Sequence, residues 1–182
     1  MTIKRIAAIL VIFFSLALPG CVASAAAGLI PYVDSVDGYQ FLYPNGWQEV
    51  KVSNGPDVVF HDLIEDTENL SVVISPVPEG KTLADLGDAS EVGYKLSKKA
   101  IAPENSGRTA ELVSAESQTA GDKTYYVLEY AVKLPNNKLR HNLASVAVSR
   151  GKLYTFNISA TEKRWQKLKT KFTQVVNSFS VY

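Results

Sequence analysis

The chain has 182 residues, 46% of them hydrophobic and 20% charged, with 19 Lys and Arg set against 18 Asp and Glu. A balance so close to neutral lacks the basic footprint of a nucleic-acid binder. The single cysteine, Cys21, rules out an intrachain disulfide and a thiolate metal site, so packing must hold the fold together.

The first segment reads as a targeting signal. Lys4 and Arg5 precede an apolar run from Ile6 to Leu18, interrupted only by Ser15. The run is 13 residues long, whereas a helix needs about 20 to cross a ~30 Å hydrocarbon core. Leu18-Pro19-Gly20-Cys21 resembles a bacterial lipobox, in which the cysteine is lipidated and becomes the first residue of the mature chain. Cleavage after Ala25, at the A-x-A site Ala23-Ser24-Ala25, is the alternative and would discard Cys21. If lipidation holds, two or more acyl chains anchor stably where a single one does not. Residues 1–20 then form a lipoprotein signal peptide, residues 21–35 a lipid-anchored flexible tether, and residues 36–182 one domain long enough to bury a core.

Two short strands are predicted in "GYQFLYPNGWQEVKV", with Pro44-Asn45-Gly46 as the turn between them. "PDVVFHDL" and "ENLSVVISPV" follow as strands across a polar link at 64–67. The period then changes: Asp88 and Glu91 form a capping-box pattern, and Val92, Leu96 and Ala100 keep helical spacing up to Pro103. From Arg108 four strands follow, turned at Gly121-Asp122, Pro135-Asn136-Asn137 and Gly151-Lys152, as in an antiparallel meander. The last 22 residues read as an amphipathic helix, with Trp165, Leu168, Phe172, Val175 and Val176 on one face and Lys163, Lys167, Lys169 and Lys171 mostly elsewhere. The expected fold is α+β, a central antiparallel sheet sandwiched by helices.

Charge is distributed unevenly. Residues 22–91 hold 12 acids and two bases, and residues 92–182 hold 15 bases and six acids. Such asymmetry suits steering onto a charged partner, unless the fold interleaves the two halves.

No catalytic motif is present: the sequence has no GxSxG, P-loop, GxGxxG, HExxH or CxxC pattern. His61 with Asp62, Glu65 and Asp66, and Glu68 nearby, is a candidate metal site, because imidazole with carboxylates suits zinc or manganese and carboxylates alone suit calcium. A solvated acidic turn is the plainer alternative. Lys163, Arg164, Lys167, Lys169 and Lys171, with Arg140 and His141, are candidate docking residues for an acidic partner or anionic headgroups; the plainer alternative is the wet face of a helix. Tyr39, Phe41 and Trp47 line either a groove or, more simply, the underside of the sheet.

Taken in order, "VDGYQFLYPNGWQEV", "DVVFHDLIEDTENLSVVISPV", "LGDASEVGYKL", "GRTAELVSA", "YYVLEY", "RHNLASVAV", "GKLYTFNIS" and "EKRW" resemble the PsbP family of extrinsic photosystem II proteins. The likeness runs from about Val36 to Tyr182. With the lipobox it points to the lipid-anchored cyanobacterial form. The resemblance implies a PsbP-like fold and a non-enzymatic lipoprotein on the lumenal face of the thylakoid membrane. It also implies a monomer that binds photosystem II core subunits or assembly intermediates and no nucleic acid. The family's calcium and chloride retention depends partly on an extended N-terminal segment, which is here the short alanine-rich tether, so assembly or stability is the implied role. No cofactor is required by the resemblance. Family members have held zinc, manganese or calcium at histidine and carboxylate positions, which leaves a divalent-metal carrier as the alternative.

Overall fold

The computed structural model describes residues 28–65 and 67–182. Among the described residues ten strands and two α-helices follow one another: β1 (Leu29–Asp34), β2 (Tyr39–Pro44), β3 (Trp47–Glu49), β4 (Val58–Asp62), β5 (Asn69–Pro76), α1 (Ala89–Leu96), β6 (Thr109–Ala120), β7 (Lys123–Lys133), β8 (Leu139–Ser149), β9 (Lys152–Thr161), α2 (Glu162–Asn177) and β10 (Ser180–Val181). They make a sheet-dominated α+β fold. A seven-stranded antiparallel sheet runs β3-β4-β5-β9-β8-β7-β6, and a smaller sheet runs β1-β2-β10.

The large sheet is covered on both faces at β7 and β8, which are apolar on both, whereas β5 and β9 are apolar and covered on the α2 side only. In β7, Tyr126, Leu128, Tyr130 and Val132 point to one side and pack with Val92 of α1. Tyr125 of β7, Leu143 of β8 and Tyr154, Phe156 and Ile158 of β9 point to the other, under Trp165, Phe172, Val175 and Val176 of α2. Each fully buried side chain of this size contributes about 1.5–3 kcal/mol. The small sheet closes the same second core with Tyr39 and Phe41.

Local chemistry sets the element ends. Asp88 caps α1 by accepting from the Glu91 N–H at 2.8 Å while Glu91 accepts from the Asp88 N–H, the reciprocal box expected from the sequence. Gly93 lets α1 lie close to the sheet: a Cβ there would sit 2.9 Å from Leu112 Cδ2. Tyr130 donates to the Gly93 carbonyl at 2.9 Å. The β8–β9 hairpin turns at Arg150-Gly151, both with positive φ (49° and 69°), one residue earlier than predicted.

Three expectations are corrected. The tether expected at 21–35 is strand from Leu29 to Asp34, paired with β2 along its whole length. Pro31 is tolerated because β1 is an edge strand, where a missing N–H costs no ladder bond. The helix after Asp88 is regular only to Leu96; a π-helical turn over Ser97–Ile101 then buries Ile101 and leaves Ala100 exposed. The closing helix stops at Asn177, where Ser178 accepts from the Leu42 N–H at 2.8 Å and turns the chain into β10. Among the described residues no helix is long and apolar enough to cross a membrane. Cys21 and the segment expected to be a signal peptide lie outside the described residues.

Candidate functional site

The seam between α2 and the large sheet holds most of the predicted docking residues. Glu129 is a lone acid in an otherwise apolar stretch of β7, and it is buried. Its carboxylate accepts from Trp165 Nε1 at 3.2 Å and from Lys169 Nζ at 2.9 Å. His141, opposite Ala131 on β8, lies flat against the Trp165 indole. The same imidazole sits between two acids, with Nε2 2.6 Å from Glu162 and Nδ1 3.4 Å from Glu129. One turn along, Arg164 grips buried Glu68 through Nε and Nη2 and lies 3.9 Å from Glu65. Burial pushes the Glu68 carboxyl up and Arg164 pulls it back, while the same contact raises the Arg164 guanidinium. Arg140 donates to the Thr67 carbonyl at 2.6 Å and to Ser159 Oγ.

Four of the seven docking candidates, Arg140, His141, Arg164 and Lys169, are therefore committed to internal contacts. Lys163 and Lys167 project freely from α2, and Lys171 is half-buried beside Gly28. Sequence spacing alone missed Glu129 and Glu162. The signal for Glu129 was available: an isolated carboxylate in a buried strand must have partners.

The acidic segment does not gather around His61. His61 Nδ1 donates to the Asp62 carbonyl at 3.0 Å. Asp62 folds back on its own loop, accepting from the N–H groups of Ile64 at 2.7 Å and Glu65 at 2.8 Å. Burial opposes ionisation there, but those two N–H groups and the Trp47 side chain hold the Asp62 carboxyl below its ordinary value. Glu65 faces Arg164 instead, and Asp66 lies outside the described residues. Among the described residues, the set of three metal-type ligands whose donor atoms meet within 4.8 Å is Asp34, Asp37 and Asp57. These come from the β1 end, the following turn and the approach to β4, too far apart in sequence to show as a motif. Each already has donors: Lys152 Nζ at 2.6 Å from Asp37, Tyr39 OH at 2.6 Å from Asp57, and two backbone N–H groups on Asp34. A cation would have to displace Lys152. The aromatic residues Tyr39, Phe41 and Trp47 are buried in the core, not arranged as a groove.

The two halves are separated by strand but not by charge. β3, β4 and β5, from the acidic half, form one end of the large sheet and β9 to β6 the other, yet Asp88 and Glu91 of the acidic half lie with α1 over β6 and β7, and strands β6 to β9 carry Glu111, Glu116 and Glu129 beside Lys123, Lys133, Arg140 and Lys152. The excess of bases sits on α2, with Lys163, Arg164, Lys167, Lys169 and Lys171 against Glu162. Lys152–Asp37 and Arg164–Glu68 tie the two halves together.

This sheet, with its helices and edge strands, is shared. The PsbP family model matches residues 27–181. The chain belongs to the PsbP family. CyanoP of Thermosynechococcus vestitus is 52% identical over 99% of this chain and 100% of its own length. CyanoP of Synechocystis is 48% identical over 94% of this chain and 93% of its own length. The solution structure of cyanobacterial PsbP (CyanoP) from Synechocystis superposes with a TM-score of 0.74 at 48% identity, covering 91% of this chain and 99% of that one. As the PsbP-family match begins at residue 27, it takes in β1, the strand that composition had disguised as tether.

Proposed function

We propose that this PsbP-family chain is a non-enzymatic accessory protein of photosystem II, lipid-anchored through Cys21 on the lumenal face of the thylakoid membrane, where it supports assembly or stability of the complex. The observation that carries the reading is its likeness to CyanoP over nearly the whole of both chains, signal region included. The domain offers a base-rich helix, α2, and an acidic segment at β3–β5, suited to oriented docking on a charged partner. Lys163 and Lys167, the α2 cations least engaged in the fold, are the residues to present to an acidic subunit surface.

The test is affinity purification of the tagged full-length protein from thylakoid membranes beside Cys21→Ala, with mass analysis of the mature N-terminus. Acylated Cys21 and recovery of photosystem II subunits are the expected results. A free N-terminus at Ala26 would overturn the anchor, and recovery of only unrelated membrane proteins would overturn the partner.

A further inference from the structure

α1 lies over β6 and β7 and leaves the same face of β5 and β9 uncovered. There the sheet floors an open cavity of about 260 Å³. Its floor follows from strand register. Asn69, Ser71 and Val73 of β5 stand beside Ser159, Asn157 and Thr155 of β9, with Asn142 of β8 next to Ser159. The opposite faces of these strands carry the core residues Leu70, Val72, Phe156 and Ile158, so the pleat alone places every amide and hydroxyl on the cavity side.

Two features make this more than a wet sheet face. First, the polar floor is ordered. Ser159 Oγ donates to Asn69 Oδ1 at 3.0 Å, Asn142 Nδ2 donates to Asn157 Oδ1 at 3.2 Å, and Arg140 donates to Ser159. Those bonds use up acceptors. Among the described residues, Asn69 Nδ2, Asn157 Nδ2 and the hydroxyls of Ser71 and Thr155 have no protein partner and remain as donors.

Second, two arginines, Arg108 and Arg140, line the cavity and no acid does. Among the described residues neither guanidinium has a carboxylate within 4.0 Å, although Glu68, the acid nearest in influence, is taken by Arg164. Burial, and then the charge of Arg108, push the Arg140 guanidinium down from its ordinary value against the weaker pull of Glu68. Ile101, Val132 and Leu134 supply the apolar part of the lining.

We infer that this cavity binds a small organic carboxylate carrying a short apolar group, with the carboxylate on Arg108 and the Asn–Ser–Thr floor and the apolar group against Ile101 and Val132. Arg–carboxylate pairing is the strongest contact available to such a donor set. The volume falls below the ~300–1,000 Å³ of sites for drug-sized ligands, which limits the bound part to a few heavy atoms beyond the carboxylate. The same chemistry is offered by a free metabolite and by the C-terminal residue of a protein chain. The inference does not depend on the photosystem reading.

The test is titration of the ¹⁵N-labelled domain, residues 28–182, with N-acetyl-leucine, N-acetyl-leucinamide and inorganic phosphate, followed by amide chemical shifts; the full-length chain in detergent is the control for the domain's fold. N-acetyl-leucine should shift Ser71, Thr155 and Asn157 saturably. The uncharged amide and phosphate should each bind at least tenfold more weakly. Arg108→Gln, at an exposed position with no side-chain hydrogen bond or ion pair among the described residues, should weaken N-acetyl-leucine binding at least tenfold with the spectrum otherwise unchanged. Arg140→Gln should do the same, but it also loses its Thr67 contact, so the Arg108 variant decides. A short peptide ending in a free leucine carboxylate that binds tenfold tighter than N-acetyl-leucine assigns the site to chain ends, and equal affinity assigns it to a free small acid. Equal binding of acid and amide, tighter binding of phosphate, shifts confined to other residues, or an Arg108→Gln titration identical to wild type would each overturn the inference.

Discussion

The imidazole of His141 and the indole of Trp165 lie face to face, 4.9 Å between centroids with planes 4° apart, and one carboxylate, Glu129, reaches both rings. This stack fixes the first turn of α2 on β8 and β7. Trp165 is 1% exposed, so Trp165→Ala opens a large cavity and should lower the unfolding free energy by about 3–5 kcal/mol. Trp165→Phe keeps most of the bulk but removes the N–H from a buried carboxylate, and should lose about 1–3 kcal/mol. Urea denaturation followed by far-ultraviolet circular dichroism distinguishes the two; equal losses would show that the Glu129 bond outweighs the packing.

Arg164 separates a structural cation from a docking one. Its partner Glu68 is 1% exposed and, among the described residues, has no other cation within ion-pair distance, Arg140 acting on it only from farther off. Arg164→Ala should therefore destabilise the domain by about 1–3 kcal/mol, since water reaches the outer part of the site. Lys163→Ala and Lys167→Ala, on the open side of the same helix, should stay within about 0.5 kcal/mol. Denaturant midpoints for the three variants check this ordering.

Much of the fold was legible because the relevant signals are local. The capping box at Asp88 and Glu91, the meander turns and the apolar stripe of α2 each depend on residues a few positions apart. The misses are long-range. β1 reads as tether because Pro31 breaks its pattern, and only its pairing with β2 and the stacking of Tyr32 on Phe41 at 4.9 Å make it a strand. The π-helical turn at Ser97–Ile101 shifts the buried position away from Ala100, a change no helical wheel anticipates. The acidic loop looked like a ligand set because spacing cannot show where carboxylates point. Asp62 turns to its own backbone, and Glu65 and Glu68 turn to an arginine 96 residues beyond Glu68.

Truncation tests the β1 assignment. A domain beginning at Val36 should be less stable than one beginning at Gly28, because it uncovers Phe41 and Phe60 and strips β2 of one partner. Tyr32→Ala should reproduce part of that loss, in the range of about 3–5 kcal/mol for a fully buried aromatic and less here, where the ring is half-exposed. Thermal denaturation of the three proteins provides the check, and identical midpoints would return residues 28–35 to the tether.

Asp62 gives stability a defined pH dependence. Its folded carboxyl is held below the ordinary value by the Ile64 and Glu65 N–H groups and Trp47, against the opposing effect of burial. A depressed carboxyl stabilises the fold fully above the unfolded value of about 3.9, and the contribution disappears as pH falls through the lower folded value. Glu68 works in the opposite direction, since burial raises its folded carboxyl and folding gains as that group takes up a proton. The comparison is therefore between wild type and Asp62→Asn, which share Glu68. Asp62→Asn should be less stable at neutral pH and should lose less stability than wild type as pH is lowered through about 4. Melting temperatures across that interval show it, and parallel curves would remove Asp62 from the account.

Docking through the basic charge of α2 should make partner binding salt-sensitive. Exposed charges interact over a screening length of about 30 Å at 0.01 M ionic strength and about 3 Å at 1 M. Recovery of photosystem II subunits with the tagged protein should fall steeply across that range. The Lys163→Glu, Lys167→Glu double variant should recover less at low salt than wild type while unfolding at the same denaturant concentration, because neither side chain supports the fold. Washing the captured complex at graded salt and quantifying the subunits by mass spectrometry measures both effects. Salt-insensitive recovery by both proteins would move the interface off α2 and onto apolar surface, where Ile64, 92% exposed, and Leu63, 56% exposed, stand together at the β4–β5 turn. Replacing that pair by serine would then be the variant that releases the partner.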